Sequence, residues 1–259
     1  MEGRTAIMTG SQNVIADTAE RRIDAKYQWN REKPTVLVFD VNETLIDFES
    51  MNPLFEKLFG DRRVLREWFG QLIMYSMTIT LSGLYKDFSS LGQGILQMLA
   101  DIHGVSLKAS DLDEIKNGMM TMPPHADVGQ GLQKLKAAGF RMMTLTNSPL
   151  NPKGQSPLEH AGLATFFERQ FSIETVRAYK PAPLAYHFVA QELDVPPSSC
   201  CMVAAHVWDT LGAQSAGFSA ALITRPGNAA LAVPGLPQPN FVAPNLPALA
   251  AKLPAPKAV

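Results

Sequence analysis

Asp40 and Thr44 stand four residues apart in the segment Phe39–Leu45 (FDVNETL), at the end of an apolar run, with Asn42 between them. An ionised carboxylate delivered there can attack an electrophilic carbon and form an ester that water later hydrolyses. In a dry site such a carboxylate needs a nearby cation to stay ionised, and Lys180 is the cation expected to supply it. The Thr44 hydroxyl is placed to hydrogen-bond the same carboxylate. Thr146, Asn147 and Ser148 follow a second apolar run, and His206 and Asp209 follow another. Histidine exchanges protons near neutral pH, with an ordinary pKa of ~6.5. Asp209, three residues beyond His206, is the acid expected to orient it, so the reading is a His206–Asp209 pair that activates the ester-hydrolysing water.

For these groups to converge, each must leave a strand at the same edge of one sheet. Thr35–Asp40 (TVLVFD) follows Pro34 and reads as a short buried strand rich in β-branched residues. From residue 123 onward helix and strand alternate. Val128, Leu132 and Leu135 share the face of a helix closed at Gly139. Strands are expected at Phe140–Thr146, Phe171–Val176, Cys200–Ala205, Ala220–Thr224 and Phe241–Ala243, with helices at Pro183–Leu193, Thr210–Gly217 and Pro247–Leu253. Such alternation implies an α/β fold, a Rossmann-like parallel sheet with helices on both faces, whose ligands bind beyond the carboxyl ends of the strands.

Residues 50–122 carry no strand pattern. Helical pieces at Met51–Phe59, Arg63–Ile79, Leu84–His103 and Asp111–Met120 are punctuated by Gly60, Gly83 and Gly104 and closed by Pro123-Pro124. The expected organisation is a core of residues 33–49 and 123–259, an inserted helical cap of residues 50–122, and an N-terminal arm of residues 1–32. That arm is mostly polar, lacks the apolar centre of a signal peptide, and is expected to be disordered or a loosely docked helix.

Composition narrows the classes further. With 46% hydrophobic residues and 23 Lys and Arg against 24 Asp and Glu, the chain can build a large core and carries no net field. The balance and the lack of any basic run argue against nucleic acid or an anionic membrane as partner, and no apolar run is long enough to span a bilayer. Cys200 and Cys201 are neighbours on a strand, point to opposite faces, and are expected as buried thiols of a reducing cytoplasm. His103, His125, His160 and His187 show no ligand-like clustering. Glu43 and Asp47 read as solvated turn acids. Asp40 and Asp209 alone are a poor oxygen set for Mg²⁺, so no metal and no other cofactor is expected.

FDVNETL, LTNS (Leu145–Ser148), YKPAP from Tyr179 with Tyr186 beyond it, and VAAHVWD (Val203–Asp209) resemble, in order, the motifs of the haloacid dehalogenase superfamily, and within it the type II or L-2-haloacid dehalogenase branch. The resemblance spans about Val36 to Pro226. It implies that Asp40 is the nucleophile and that Thr146, Asn147 and nearby backbone amides hold the carboxylate of a small substrate. It also implies that Tyr186 lines the pocket near Lys180, and it suggests a homodimer. Asn42, expected at the substrate, stands where superfamily phosphatases carry a second aspartate as general acid, which disfavours phosphatase chemistry. Ala204-Ala205-His206 replaces a Ser-Ser-Asn sequence of better-known dehalogenases.

Aligning Trp68 and Tyr75 (WFGQLIMY) with the cap puts Phe69 in the place of the halide-holding arginine. Phe69 and Tyr75 are therefore expected at the substrate, and Arg62, Arg63 and Arg66 are the candidates to replace that cation. Cis-epoxysuccinate hydrolases of the same superfamily resemble the chain in the Asp40/Thr44 and Lys180/Tyr186 spacings and in the His206/Asp209 pair. The leading expectation is a hydrolase of short 2-haloacids, fluoroacetate included. An epoxide hydrolase is the alternative, with a magnesium-dependent phosphatase and a non-catalytic binding protein behind it.

Overall fold

The computed structural model describes residues 33–150 and 156–256, so the expected arm of residues 1–32 lies outside them. Its centre is a parallel sheet of six strands, in the order β3-β2-β1-β4-β5-β6. These are β1 (Val36–Phe39), β2 (Arg141–Thr146), β3 (Arg169–Ser172), β4 (Cys200–Ala204), β5 (Ser219–Ile223) and β6 (Phe241–Ala243). β1 is buried throughout because β2 and β4 flank it and helices cover both faces, which is why it reads as an unbroken apolar run. Its last residue, Phe39, is level with Thr144 of β2 and Val203 of β4. The polar residues that follow these three strands therefore emerge at one edge.

Between β1 and the next core helix lie α1 (Asn52–Phe59), α2 (Val64–Leu81), α3 (Phe88–His103) and α4 (Ala109–Thr121). The core helices are α5 (Val128–Ala137), the single turn α6 (Pro157–His160), α7 (Pro183–Glu192), α8 (Val207–Ser215) and α9 (Leu246–Lys252). An aromatic cluster seats the inserted helices on the turn after β1. Phe48 stacks on Trp68 at 6.2 Å and meets Phe69 at 4.8 Å between ring centroids, while the Trp68 indole donates to the Gly92 carbonyl at 3.0 Å. Such aromatic pairs contribute ~0.5–1.5 kcal/mol each beyond their buried area.

Three elements have a boundary displaced by three residues or more from their sequence expectation. The third strand is Arg169–Ser172 rather than Phe171–Val176, and a 3-10 turn, Ile173–Thr175, follows it. The apolar pattern misleads here because Arg169, an exposed strand residue, lays its guanidinium over Phe171 at 4.5 Å, while Ser172 accepts from the Glu174 amide and turns the chain. The helix expected from Leu84 starts at Phe88, where the Asp87 carboxylate accepts from the Ser90 amide and caps it. The helix expected from Thr210 starts at Val207, so His206 is its N-cap.

Gly212 shows how tightly α8 lies against the site. A Cβ there would stand 2.5 Å from Pro181 Cβ and 2.6 Å from the Tyr186 hydroxyl. Both neighbours adjoin Lys180 and Asp209, so Gly212→Ala is expected to cost about 1–3 kcal/mol by overpacking and to lower turnover as well. Urea denaturation read beside steady-state rates checks this; a variant of unchanged midpoint would show that α8 can give way.

Candidate active site

The end of β1 places Asp40 in the middle of the sheet edge. Its amide donates to the Val203 carbonyl at 3.0 Å, which fixes the backbone on the β4 side. Thr44 Oγ1 donates to Asp40 Oδ2 at 2.8 Å and accepts from the Ala205 amide at 2.9 Å. Lys180 Nζ donates to Asp40 Oδ1 at 2.8 Å, Asp209 Oδ2 at 2.7 Å and the Leu145 carbonyl at 2.9 Å. All three ammonium protons are thus used, as a fully buried lysine requires. Asp40 is 5% exposed. Burial alone would raise its pKa, but Lys180, and His206 beside it, hold the carboxyl well below the ordinary range. Burial likewise opposes the charge on Lys180, yet Asp209 and Asp40 together raise its pKa.

The partner of His206 is not Asp209. The Asp209 carboxylate is spent on Lys180 and on the Tyr186 hydroxyl, which donates to Oδ1 at 2.7 Å. His206 Nε2 lies 2.5 Å from Glu43 Oε2, and Nδ1 lies 3.6 Å from Asp40 Oδ2 without a hydrogen-bond partner. The sequence pairing failed because α8 begins immediately after His206. Position 209 then lies one turn into the helix and faces Lys180, whereas the imidazole faces the turn after β1. Glu43, expected as a solvated acid, is instead 2% exposed and adopts φ +67°. Burial disfavours its charge, but His206 and Arg66 lower its pKa. Burial also disfavours the imidazolium, yet the two carboxylates win and raise His206 to about 9. Phe69 at 5.4 Å and Trp208, stacked at 5.0 Å, contact the imidazole ring.

The other expected residues divide. Asn147 Oδ1 accepts from the Lys180 amide at 3.2 Å, so it positions the lysine's backbone. Thr146 Oγ1 accepts from the Ser148 amide at 3.1 Å, and Asn42 donates to Ser148 Oγ at 3.3 Å, which gathers Asn42, Thr146 and Ser148 on one rim. Tyr186 is fully buried behind Asp209 rather than lining a cavity, a correction to the pocket role. Phe69 reaches the site through His206, whereas Tyr75 packs half-buried on the hydrophobic core, with no hydrogen bond to the strand-end groups among the described residues. Arg63 pairs with Asp61 at the surface. The Arg66 guanidinium contacts Glu43 and Glu49 and donates to the Pro226 carbonyl, so it is not free to hold a halide.

Sequence reasoning also missed Arg225, buried in the loop after β5. Its Nε and Nη2 donate to the Thr44 carbonyl at 3.1 and 2.9 Å, and its Nη1 meets Asp127 at 2.5 Å, so it braces the turn that carries Thr44. Nothing in the spacing marks it; only the packing of the β5 loop on the β1 turn does. Among the described residues no group of three or more His, Cys, Asp and Glu side chains is arranged to hold a metal ion. No helix among them is long and apolar enough to cross a membrane.

The sequence and the fold have counterparts among known proteins. A family model described as haloacid dehalogenase-like hydrolase matches residues 34–217. An (S)-2-haloacid dehalogenase of Pseudomonas sp. (strain CBS-3) is 32% identical over 159 residues, 61% of this chain and 69% of that protein. One from Burkholderia cepacia is 28% identical over 193 residues, 74% of this chain and 83% of its own. The structure of L-2-haloacid dehalogenase from Xanthobacter autotrophicus with chloropropionic acid covalently bound superposes with a TM-score of 0.74 at 25% identity, covering 84% of this chain and 97% of that one. A parallel sheet that carries Asp40 at the end of its first strand, the ordered strand-end motifs and the match over most of the chain lead to one assignment: the protein belongs to the haloacid dehalogenase-like hydrolases.

Proposed function

We propose that this hydrolase removes the halide from small 2-haloacids through an ester on Asp40. The observation that carries the reading is the setting of that carboxylate: nearly buried and held by Lys180 and Thr44, with an amide, Asn42, in place of a second acid. One Asp40 oxygen attacks C2 and the halide leaves with the bonding electrons. Water then adds to the ester carbonyl, the acyl C–O bond breaks, and a 2-hydroxyacid departs with the original aspartate oxygen. The covalently bound chloropropionic acid of the Xanthobacter relative supports this route. Thr146, Asn42 and the Ser148 hydroxyl form the polar rim available to the substrate carboxylate.

The proton held by His206 favours one second reading, opening of an epoxide that carries carboxylates. With a pKa raised to about 9, His206 is an imidazolium at neutral pH. Opening an epoxide produces an alkoxide that can take this proton, leaving a neutral imidazole to activate the next water, and the cycle closes without exchange with solvent. Halide displacement produces no such base, so the imidazolium must first release its proton to solvent. Mass spectrometry after many turnovers in H₂¹⁸O, with L-2-chloropropionate and then cis-epoxysuccinate, tests both readings. Label is expected in the Asp40 peptide with the haloacid. Halide release that leaves Asp40 unlabelled would mean direct attack by water; label and tartrate with the epoxide alone would select the second reading.

A further inference from the structure

His206 is held at one nitrogen only. Nε2 faces Glu43, while Nδ1 is 3.6 Å from Asp40 Oδ2, lacks a hydrogen-bond partner and belongs to a side chain 7% exposed. Glu43 has the left-handed backbone that a non-glycine residue adopts at a cost, and such outliers persist where their surroundings hold them. Its Oε1 receives Asn228 Nδ2 at 2.8 Å and the guanidinium of Arg66, which comes from α2 in the inserted helices. Arg66 also touches Glu49 and the Pro226 carbonyl. One carboxylate is therefore shared between a cation of the inserted helices and the imidazole of the core.

We infer that Glu43 is the positioning residue of His206, and that Arg66, bound to the other oxygen of the same carboxylate, makes the charge on His206 depend on the seating of the helices above it. Every charged group around the imidazole fits this arrangement. Asp40 and Glu43 face it from β1 and its turn, and Arg66 and Glu49 lie behind Glu43. Lys180 and Asp209 lie behind Asp40. Arg225 holds the Thr44 carbonyl and His125 the Glu43 carbonyl. The ring contacts, Phe69 and Trp208, are uncharged. With the inserted helices seated, Arg66 offsets part of the Glu43 charge; if they lift away, Glu43 holds the imidazolium proton more firmly.

This deepens the aspartyl-ester reading and rests on it for its catalytic meaning. Once Asp40 is esterified its charge is gone, and His206 keeps only a carboxylate already shared with Arg66. The imidazolium can then release its proton to solvent. Water next passes a proton to Nδ1 as its oxygen bonds to the ester carbon. The acyl C–O bond breaks, and the departing alkoxide takes the new carboxyl proton. Asp40 is again a carboxylate and His206 again an imidazolium.

The test is NMR titration of the imidazole resonances in the full chain without substrate, with His206 assigned by its loss in His206→Asn. In Glu43→Gln, His206 is expected to titrate at a pH lower by at least about one. In Arg66→Gln it is expected to titrate higher than in the parent. In the double variant the Arg66 effect is expected to vanish, because its route is gone. An unmoved His206 in Glu43→Gln, an unmoved or lower one in Arg66→Gln, or equal Arg66 effects in both backgrounds would overturn the inference. Should Glu43→Gln fail to fold, Arg66→Gln alone decides. No substrate enters this measurement, so its failure is distinct from an unlabelled Asp40 in H₂¹⁸O.

Discussion

Asp40→Asn is expected to lower turnover of L-2-chloropropionate by on the order of 10⁴-fold or more, the scale seen when a group that forms the covalent bond is removed. An amide oxygen lacks the charge that the proposed attack requires, and among the described residues no other carboxylate stands in its place. Asp209 is fully buried and engaged by Lys180 and Tyr186, and Glu43 is engaged by His206, Asn228 and Arg66. The fold should survive, because Asn is close in shape and Lys180 keeps Asp209 as its counter-charge. Halide release measured beside a thermal melt checks both statements. A variant that keeps more than about a hundredth of the parent rate with an unchanged melt would remove Asp40 from the mechanism.

Lys180→Met is expected to act on both stability and turnover. The ammonium separates two buried carboxylates, at 2.8 Å from Asp40 and 2.7 Å from Asp209. Breaking a buried ion pair by deleting one partner costs about 3–5 kcal/mol, because the remaining charge is left without compensation. Here two charges are left, and such carboxylates relieve the repulsion by one of them taking up a proton. Asp209, whose pKa burial and Asp40 already raise, takes that proton, while Asp40 loses the cation that orients its oxygen for attack, so turnover should fall by at least about 10³-fold. Lys180→Met/Asp209→Asn removes one of the two stranded charges. It should recover much of the stability in urea denaturation while turnover stays low. Recovery of both would mean that Lys180 serves folding alone; recovery of neither would mean that the pairwise ion geometry does not set the cost.

The balance of charge explains why both changes should matter so much. Asp40, Asp209 and Glu43 are opposed by Lys180, His206 and Arg66 within one buried cluster. Lys180 and His206 favour the charge on Asp40, and Asp40 with Glu43 favours the charge on His206, while burial and Asp40 raise the pKa of Asp209. His206 is raised to about 9 against the burial that would lower it, and Asp40 is lowered against the burial that would raise it. The proposed ester on Asp40 would remove one negative charge from this cluster, and the imidazole is the member whose ordinary pKa lies near enough to neutrality to respond.

Much of this was legible in the chain itself. The run Val36–Phe39 is apolar because both faces of β1 are covered, and that pattern marks a central parallel strand without any coordinates. Alternation after residue 123 then determines a parallel sheet, and a parallel sheet directs Asp40, Thr146, Lys180 and His206 to the edge where its strands end. The Thr44 and Lys180 contacts with Asp40 follow from that convergence and were anticipated. What the tertiary structure alone decided is how the groups at that edge pair with one another. Asp209 turned toward Lys180 because α8 starts at Val207 and carries it a turn away from the imidazole. Glu43 became the partner of His206 because a left-handed turn, braced by Arg225 on the Thr44 carbonyl, buries its side chain. Arg66 joined it from 23 residues along the chain, through helix packing that leaves no period in the sequence. Hydrophobic periodicity records which side of an element is covered, and so determines strands, helices and their common edge. The pairing of charges depends on distances of a few ångströms between segments remote in sequence, and those are set only when the elements pack.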